Sequence, residues 1–435
     1  MESIANIPDR KDLKRLVIIG GGFAGLHLAK KINMKHFQVV LIDKVNYYQF
    51  QPLMYQVATA GLEPSSISYP HRKAFQNHPN FHFRTCEAKL VNPLNQCITT
   101  SIGKIHYDYL VVATGCDTNY FGNDSLKTST FALKSVSESL LIRNRILLSF
   151  EQALNALSEE ELRKTLSFVI IGGGATGVEL AGALADMRKK VLPKDYPEMD
   201  LSKMQIHLID ASPRLLAGMS EHASKKTAEI LQNRGVIIHQ NRSVVSYDDN
   251  LVTMDNGETL VSQNVFWVAG IKPNSIEGLK EEVYTRGRIQ VDEYNRVEGY
   301  ENIFCLGDTA LMISEQYPKG HPQIAQPALQ MATNLAHNLS QAVQNKTNFQ
   351  WKKFRYIDKG SLATIGKHAA VADLGKLQFS GRFAWWLWLV VHILSIVGMR
   401  NKVSVFIDWI WNYFNYDISL RLLIFPKMSR IYKKE

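Results

Sequence analysis

The chain has 435 residues, 46% of them apolar and 21% charged, which suits two or three packed cores and excludes a disordered chain. The formal net charge of +10 suits an anionic surface, and no nucleic-acid-binding module accompanies it, so nucleic acid is not an expected partner. The four cysteines, Cys86, Cys97, Cys116 and Cys305, form no Cys-x-x-Cys pair; no metal or dithiol centre is expected, and a reducing compartment suits them.

Residues 1–14 are polar and charged, without the apolar stretch of a secretory signal. An apolar run, Leu16-Val17-Ile18-Ile19, then ends in Gly20-Gly21-Gly22-Phe23-Ala24-Gly25, and a helical pattern follows: strand, tight turn, helix. Gly20, Gly22 and Gly25 have the spacing that lets a backbone turn sharply, approach a pyrophosphate and pack a helix on a strand. Asp43 closes the next apolar run, 18 residues after Gly25, where an acid can accept the ribose hydroxyls. Short strands are predicted at 81–85 and 107–113, and a helix over 136–157.

Phe168-Val169-Ile170-Ile171 repeats the device with Gly172, Gly174 and Gly177. Its acid, Asp210, follows Gly177 by 33 residues, a delay that an insertion at 189–203 explains. An acid there repels a 2′-phosphate and favours NADH, with nearby Arg214 moderating the preference. Thr176-x-x-Glu179 reads as a capping box at the start of the helix. Further on come a strand at 205–209, a helix at 220–233, a hairpin turn at Asn256-Gly257, a strand at 264–269, an apolar run ending in Gly307-Asp308, and a helix at 323–343. Gln326 and Gln330 share one face of that helix, a spacing that by itself suits a pair of surface amides on an amphipathic helix. Two nucleotide loops in one chain suggest a flavin and a nicotinamide facing each other, because two nicotinamides would leave the hydride without an acceptor.

From Phe383 the composition changes: five of the seven tryptophans, Trp385, Trp386, Trp388, Trp409 and Trp411, lie beyond it. Residues 383–399 carry only His392 and Ser395 as polar groups; as one helix they reach roughly 26 Å, short of a bilayer core of about 30 Å. Residues 403–414 carry Asp408 and Asn412. With Arg382, Arg400, Lys402, Arg421, Lys427, Arg430, Lys433 and Lys434 around them, these segments read as two amphipathic helices lying in a membrane interface. A short spanning helix and a dimer interface are the alternatives. His392 reads as a packed residue and not a ligand.

The two loops with Asp43 and Glu179 join Ala113-Thr114-Gly115, Trp267-Val268-Ala269-Gly270, Gly307-Asp308, Ala325-Gln326-Pro327-Ala328-Leu329-Gln330 and Gly360-Ser361-Leu362-Ala363-Thr364-Ile365-Gly366. In that order the chain resembles a type II NADH:quinone oxidoreductase, a single-subunit, non-proton-pumping member of the two-dinucleotide-binding flavoproteins. The Ala-Gln-x-Ala-x-Gln box and the aromatic C-terminus discriminate it from the wider group.

The resemblance implies an α/β fold with two Rossmann-like domains and a C-terminal amphipathic helical membrane anchor: an FAD-binding domain at 1–125 and 288–375, an NADH-binding domain at 126–287, and the anchoring segment at 376–435. It implies cofactor contacts at Gly20, Gly22, Phe23, Ala24, Gly25, Asp43, Lys44, Ala88, Ala113, Thr114, Gly115, Gly307, Asp308, Ala325 and Gln326, and at Gly172, Gly174, Thr176, Gly177, Glu179, Asp210, Ala269 and Gly270. Asp308 would bond the flavin's ribityl chain or phosphates, and the helix entered at Ala325 would point its amides at the pyrimidine edge. Glu179, Gln326, Gln330 and Lys402 would serve proton and quinone handling.

The implied activity is non-electrogenic: hydride from NADH to FAD, then electrons to a membrane quinone. The implied setting is a peripheral, monotopic protein, homodimeric, on the lipid surface at the cytoplasmic face of the cell inner membrane. Two rivals remain: a sulfide:quinone oxidoreductase-like flavoprotein, which would need redox cysteines near the flavin, and a slow NADH-binding redox sensor. A disulfide reductase would need a cysteine pair in 47–53, which has none.

Overall fold

A computed structural model of the protein describes residues 6–344, 349–415 and 420–424; Lys427, Arg430, Lys433 and Lys434 lie outside them. The chain forms two compact units. One comprises Met1–Gln49, Tyr69–Asp117 and Ile271–Lys359; the other comprises Phe50–Ser68, Thr118–Gly270 and Gly360–Glu435. The divisions fall at 117/118 and 270/271, where the sequence suggested 125/126 and 287/288. Residues 50–68 and 360–375, both expected with the flavin domain, pack with the second unit.

The first unit is built on a five-stranded parallel sheet in the order Phe81–Thr85, Phe37–Asp43, Lys14–Ile19, Tyr109–Val112, Ile303–Cys305. Its central strands are apolar on both faces, and Leu16, Val17, Ile18, Val39, Val40 and Leu41 are fully buried. A parallel sheet needs that, because helices cover both sides. Helix Phe23–Lys31 leaves the central strand and packs along helix Ala325–Val343, where His27 and Thr333 share a 2.9 Å hydrogen bond.

The second unit repeats the plan with Phe131–Ala132, Asn264–Trp267, Ser167–Ile171, Gln205–Asp210 and Val236–Gln240, again parallel. Trp267, Val169, Ile209, Val252 and Met254 form its core beneath the hairpin that turns at Gly257. The predicted helix at 136–157 runs Val136–Leu154, opened by a complete capping box from Ser135 and Glu138.

An antiparallel sheet, Ser361–Thr364, Ala370–Leu374 and Leu377–Gly381, leads into the aromatic segment. That segment departs from the expected helix over 383–399. Helix Arg382–Ser395 stops after 14 residues, Gly398 takes φ +89°, and Met399 opens a second helix to Asn415. Ile396, in extended backbone, ends the first helix, and the left-handed Gly398 redirects the chain into the second.

Candidate functional site

In the first unit, Gly20 sits at φ +101° with its N–H on the Ile42 carbonyl at 2.8 Å. A side chain at Gly20 would overlap the Ala113 carbonyl, and one at Gly25 would run into Gly20 O. Both absences bring strand, turn and helix into direct contact. Helix Phe23–Lys31 starts at Gly22 with no side-chain cap, and the space in front of Gly22 is open to 4 Å. The amides at the positive end of a helix facing open space suit a phosphate. Asp43 accepts from the Gly21 amide at 2.6 Å and the Val45 amide at 2.9 Å, while burial raises its pKa.

The other expected flavin contacts gather in the same unit. Thr114 Oγ1 and Thr309 Oγ1 lie 3.0 Å apart, and Thr309 donates to Gly115 O at 2.9 Å. Asp308 accepts from Cys116 Sγ at 2.9 Å, and its backbone carbonyl accepts from Gln323. A side chain at Gly307 would press on Ala328 and Ala24. Ala325 opens its helix with no side-chain cap. Phe23 lies edge-on to Tyr48 at 5.5 Å, Ala88 begins the Ala88–Asn92 strand, and Lys44 forms an exposed ion pair with Glu87 at 2.7 Å. The loop's shape, the uncapped start of its helix and its acid fit a dinucleotide such as FAD.

The second unit carries the same construction. Gly172 has φ +120° against the backbone of Ala269, a side chain at Gly177 would strike Gly172 O, and Gly174 faces open space. Gly270 turns at φ +69° beside Phe121. Asp210 accepts from the Gly173 amide and, at 2.6 Å, from the Ser212 amide.

Two sequence expectations change here. The cap of helix Ala175–Lys190 is Gly174, without a side-chain bond, so Thr176 and Glu179 form no capping box. The helix starts earlier than that motif requires, which places Thr176 in its first turn and Glu179 in its second, facing inward. Arg214 does not wait beside the acid for a 2′-phosphate. Its guanidinium donates to Met219 O, Ser224 Oγ and Ala217 O at 2.8–2.9 Å.

Glu179 is 7% exposed, and burial pushes its carboxyl up to about 8. The Thr364 amide reaches it at 3.4 Å. Tyr55, whose hydroxyl accepts from Gln56 Nε2 at 2.8 Å, packs edge-on to Trp388. A carboxyl that exchanges its proton near neutral pH can act as acid or base. The sequence pointed to Glu179, and to Thr364 only as part of a motif, but not to Tyr55; an apolar run such as 51–58 hides a buried hydroxyl among core residues.

Gln326 and Gln330 do share a helix face, and that face is occupied by the chain itself. Gln330 donates to Ile357 O at 2.8 Å and accepts from Ile357 N at 2.9 Å, mimicking a strand. Gln326 Oε1 accepts from Lys359 N at 3.0 Å and from Tyr356 OH at 3.5 Å. The pair therefore fixes residues 356–359. Gln330→Ala should speed hydrogen exchange of the Ile357 amide and cost about 1 kcal/mol. Unchanged exchange at Ile357 would remove the clamp.

Lys402 Nζ donates to Leu394 O at 2.7 Å, a cation closing the C-terminal turn of the preceding helix. His392 stacks on Trp388 at 4.0 Å, burial holding its pKa down to about 4, which is the packed residue the sequence suggested. The outer faces of both helices expose Phe383, Trp386, Leu394, Met399, Phe406, Ile407 and Phe414. Among the described residues no helix is long and apolar enough to cross a membrane.

Paired nucleotide loops of this kind define a class, and residues 14–332 match its family, pyridine nucleotide-disulphide oxidoreductase. Residues 359–415 match the NDH2 C-terminal domain. The type II NADH:quinone oxidoreductase Ndh of Mycobacterium tuberculosis is 33% identical over 408 residues, 91% of this chain and 87% of its own. That of Haemophilus influenzae is 28% identical, covering 90% and 96%. NDH2 from Plasmodium falciparum, solved in complex with NADH, has the same fold with a TM-score of 0.87 at 22% identity, covering 95% of this chain and 100% of that one. A sulfide:quinone oxidoreductase from Aquifex aeolicus superposes less well, with a TM-score of 0.70 at 19% identity over 95% of this chain and 96% of its own. The chain belongs to the type II NADH:quinone oxidoreductase family.

Proposed function

We infer that this protein oxidises NADH and reduces a membrane quinone, with FAD as its resident cofactor. The observation that carries the reading is the duplicated loop. Each unit holds a left-handed glycine, a close-packed third glycine, an uncapped helix start facing open space, and an acid bonded to the loop amide. Relatives named for NADH:quinone oxidoreduction across nine-tenths of the chain support the assignment.

The 20–25 loop, Asp43, Thr114, Gly115, Asp308 and the amides at Ala325 would hold FAD, which when bound supplies the hydride acceptor and the relay of electrons to quinone. The 172–177 loop and Asp210 would hold NADH. Asp210, held by two loop amides, stands where a 2′-phosphate would be repelled; with Arg214 committed elsewhere, the preference is for NADH over NADPH. Glu179 holds or releases a proton beside this chemistry. Gln326 and Gln330 act by fixing the 356–359 segment, and Lys402 by closing the end of helix Arg382–Ser395.

The exposed aromatic and aliphatic faces of helices Arg382–Ser395 and Met399–Asn415 support peripheral attachment to a lipid surface. Truncation after Lys376 should shift the protein from the membrane pellet to the supernatant; persistent tight pelleting would contradict the anchor. The activity itself is tested by NADH oxidation with a soluble quinone analogue. Turnover near zero in protein retaining its flavin would favour a redox sensor. The sulfide alternative lacks support: Cys86, Cys97 and Cys305 are buried and unpaired, and Cys116 bonds Asp308.

A further inference from the structure

The two glycine loops differ in what stands behind their second residue. In the second unit a side chain at Gly173 would meet Leu215 Cδ2 and the Asp210 side chain, so an aliphatic group backs the turn. In the first unit a side chain at Gly21 would run into Cε1 and Nε2 of the His71 ring. Gly21 is also the residue whose amide donates to Asp43 at 2.6 Å. The Gly21 peptide is therefore held from two directions, by the acid and by the imidazole.

His71 opens the short helix His71–Ala74, and its own amide is tied to Asn46 O at 3.0 Å. Its side chain is fully buried and lies 5.0 Å from Phe83, the two rings tilted by 37°. The imidazole so touches both the loop and strand Phe81–Thr85. Neither ring nitrogen makes a well-formed hydrogen bond. A leucine would fill such a space without burying two bare nitrogens, as the second loop does, so packing alone does not account for the histidine. We propose that His71 is a positioning residue for the flavin's phosphate loop: its neutral ring holds Gly21 in register with Asp43, and protonation of the ring frees the loop and weakens the grip on FAD. The proposal rests on the assignment of the 20–25 loop to FAD.

Burial sets the direction, holding the His71 pKa down to about 4 against the opposing effect of the Tyr47 backbone. The charged and titratable groups around the ring do not stabilise an imidazolium. Asp43 gives its oxygens to the Gly21 and Val45 amides. Tyr47 stays protonated, its pKa raised by burial and by the Asp43 charge. Arg72 is a cation that donates to Phe83 O at 3.1 Å, and Lys73 lies over the Tyr69 ring. His82 and Arg84 flank Phe83 and project from the opposite face of its strand. A ring that gains a proton has to leave for water, and Gly21 loses its backing. An ordinary histidine titrates near 6.5, so the closed loop carries no penalty above that value and a growing one as pH falls from about 6.5 towards 4.

The test follows flavin release from dilute holoenzyme by its fluorescence, with circular dichroism to confirm that the fold persists. Between about pH 7 and about pH 5 the wild-type FAD dissociation constant should rise about tenfold or more. In His71→Leu, which copies the second loop, the rise should be no more than about threefold, the part left to Asp43. His71→Phe is planar and cannot take a proton; it should behave like His71→Leu and covers the case in which the leucine variant folds poorly. Gly21→Ala protein should shed its flavin at neutral pH, and adding His71→Ala should recover part of it, a non-additive result that contact between the two positions requires. A release curve as steep in the His71 variants as in the wild type would overturn the proposal. Gly25→Ala protein separates the two readings. Flavin retained there would defeat the assignment of the loop to FAD, whereas flavin lost there, with a pH curve that the His71 substitutions leave unmoved, would defeat only the role of His71.

Discussion

Gly25→Ala protein should purify without flavin, and Gly177→Ala protein should keep its flavin but lose reduction by NADH. In both loops the added methyl would occupy the place of a backbone carbonyl, Gly20 O in the first and Gly172 O in the second. Backbone cannot swing aside as a flexible side chain can. The helix must move off the strand, and with it go the amides aimed at the phosphates and the alignment of Asp43 or Asp210 with its loop amide. A loss of about 3 kcal/mol, roughly a hundredfold in affinity, is the expected scale for nucleotide binding. Absorbance after gel filtration reads the first variant. Anaerobic titration with NADH, with dithionite as the control that the flavin is still reducible, reads the second. Flavin lost from Gly177→Ala and retained in Gly25→Ala would exchange the roles of the loops.

Glu179→Gln should slow quinone reduction about a hundredfold or more if the carboxyl carries a proton in that step. It should also change how stability depends on pH. Below the ordinary glutamate range, near pH 4.3, folded and unfolded chains both hold the proton and the substitution is close to neutral. As pH rises, the unfolded chain ionises while the folded carboxyl keeps its proton up to about 8. Wild-type stability therefore falls across that window, by on the order of a few kcal/mol, and levels off above it. The amide escapes this loss, its own fit adding only a pH-independent offset. Melting temperatures should diverge in favour of Glu179→Gln between about pH 5 and 8. Curves that stay parallel would show that the carboxyl ionises normally in the folded protein.

The parts legible in the sequence were those fixed by local geometry. Strand Phe81–Thr85 follows from a short β-like alternation, and both glycine turns from apolar runs and from positions where no side chain fits, requirements that neighbouring residues impose and a single chain displays. What stayed hidden depends on partners far away along the chain. Gln326 and Gln330 have the spacing of a ligand pair, yet their amides are spent on a segment about thirty residues downstream. Arg214 sits near Asp210 in sequence, but carbonyls of its own loop turn it away. The Thr176-x-x-Glu179 pattern matched a capping box because its register is right for one. The helix begins at Ala175, however, and its glycine cap leaves Glu179 a turn inside.

The central claim, that NADH reduces a bound flavin which a quinone then reoxidises, is tested most directly by the visible spectrum of the purified protein under anaerobic conditions. The flavin band should bleach on adding one equivalent of NADH and return on adding a quinone. A colourless protein that takes up no FAD on reconstitution, or a flavin band that NADH leaves untouched, would contradict it.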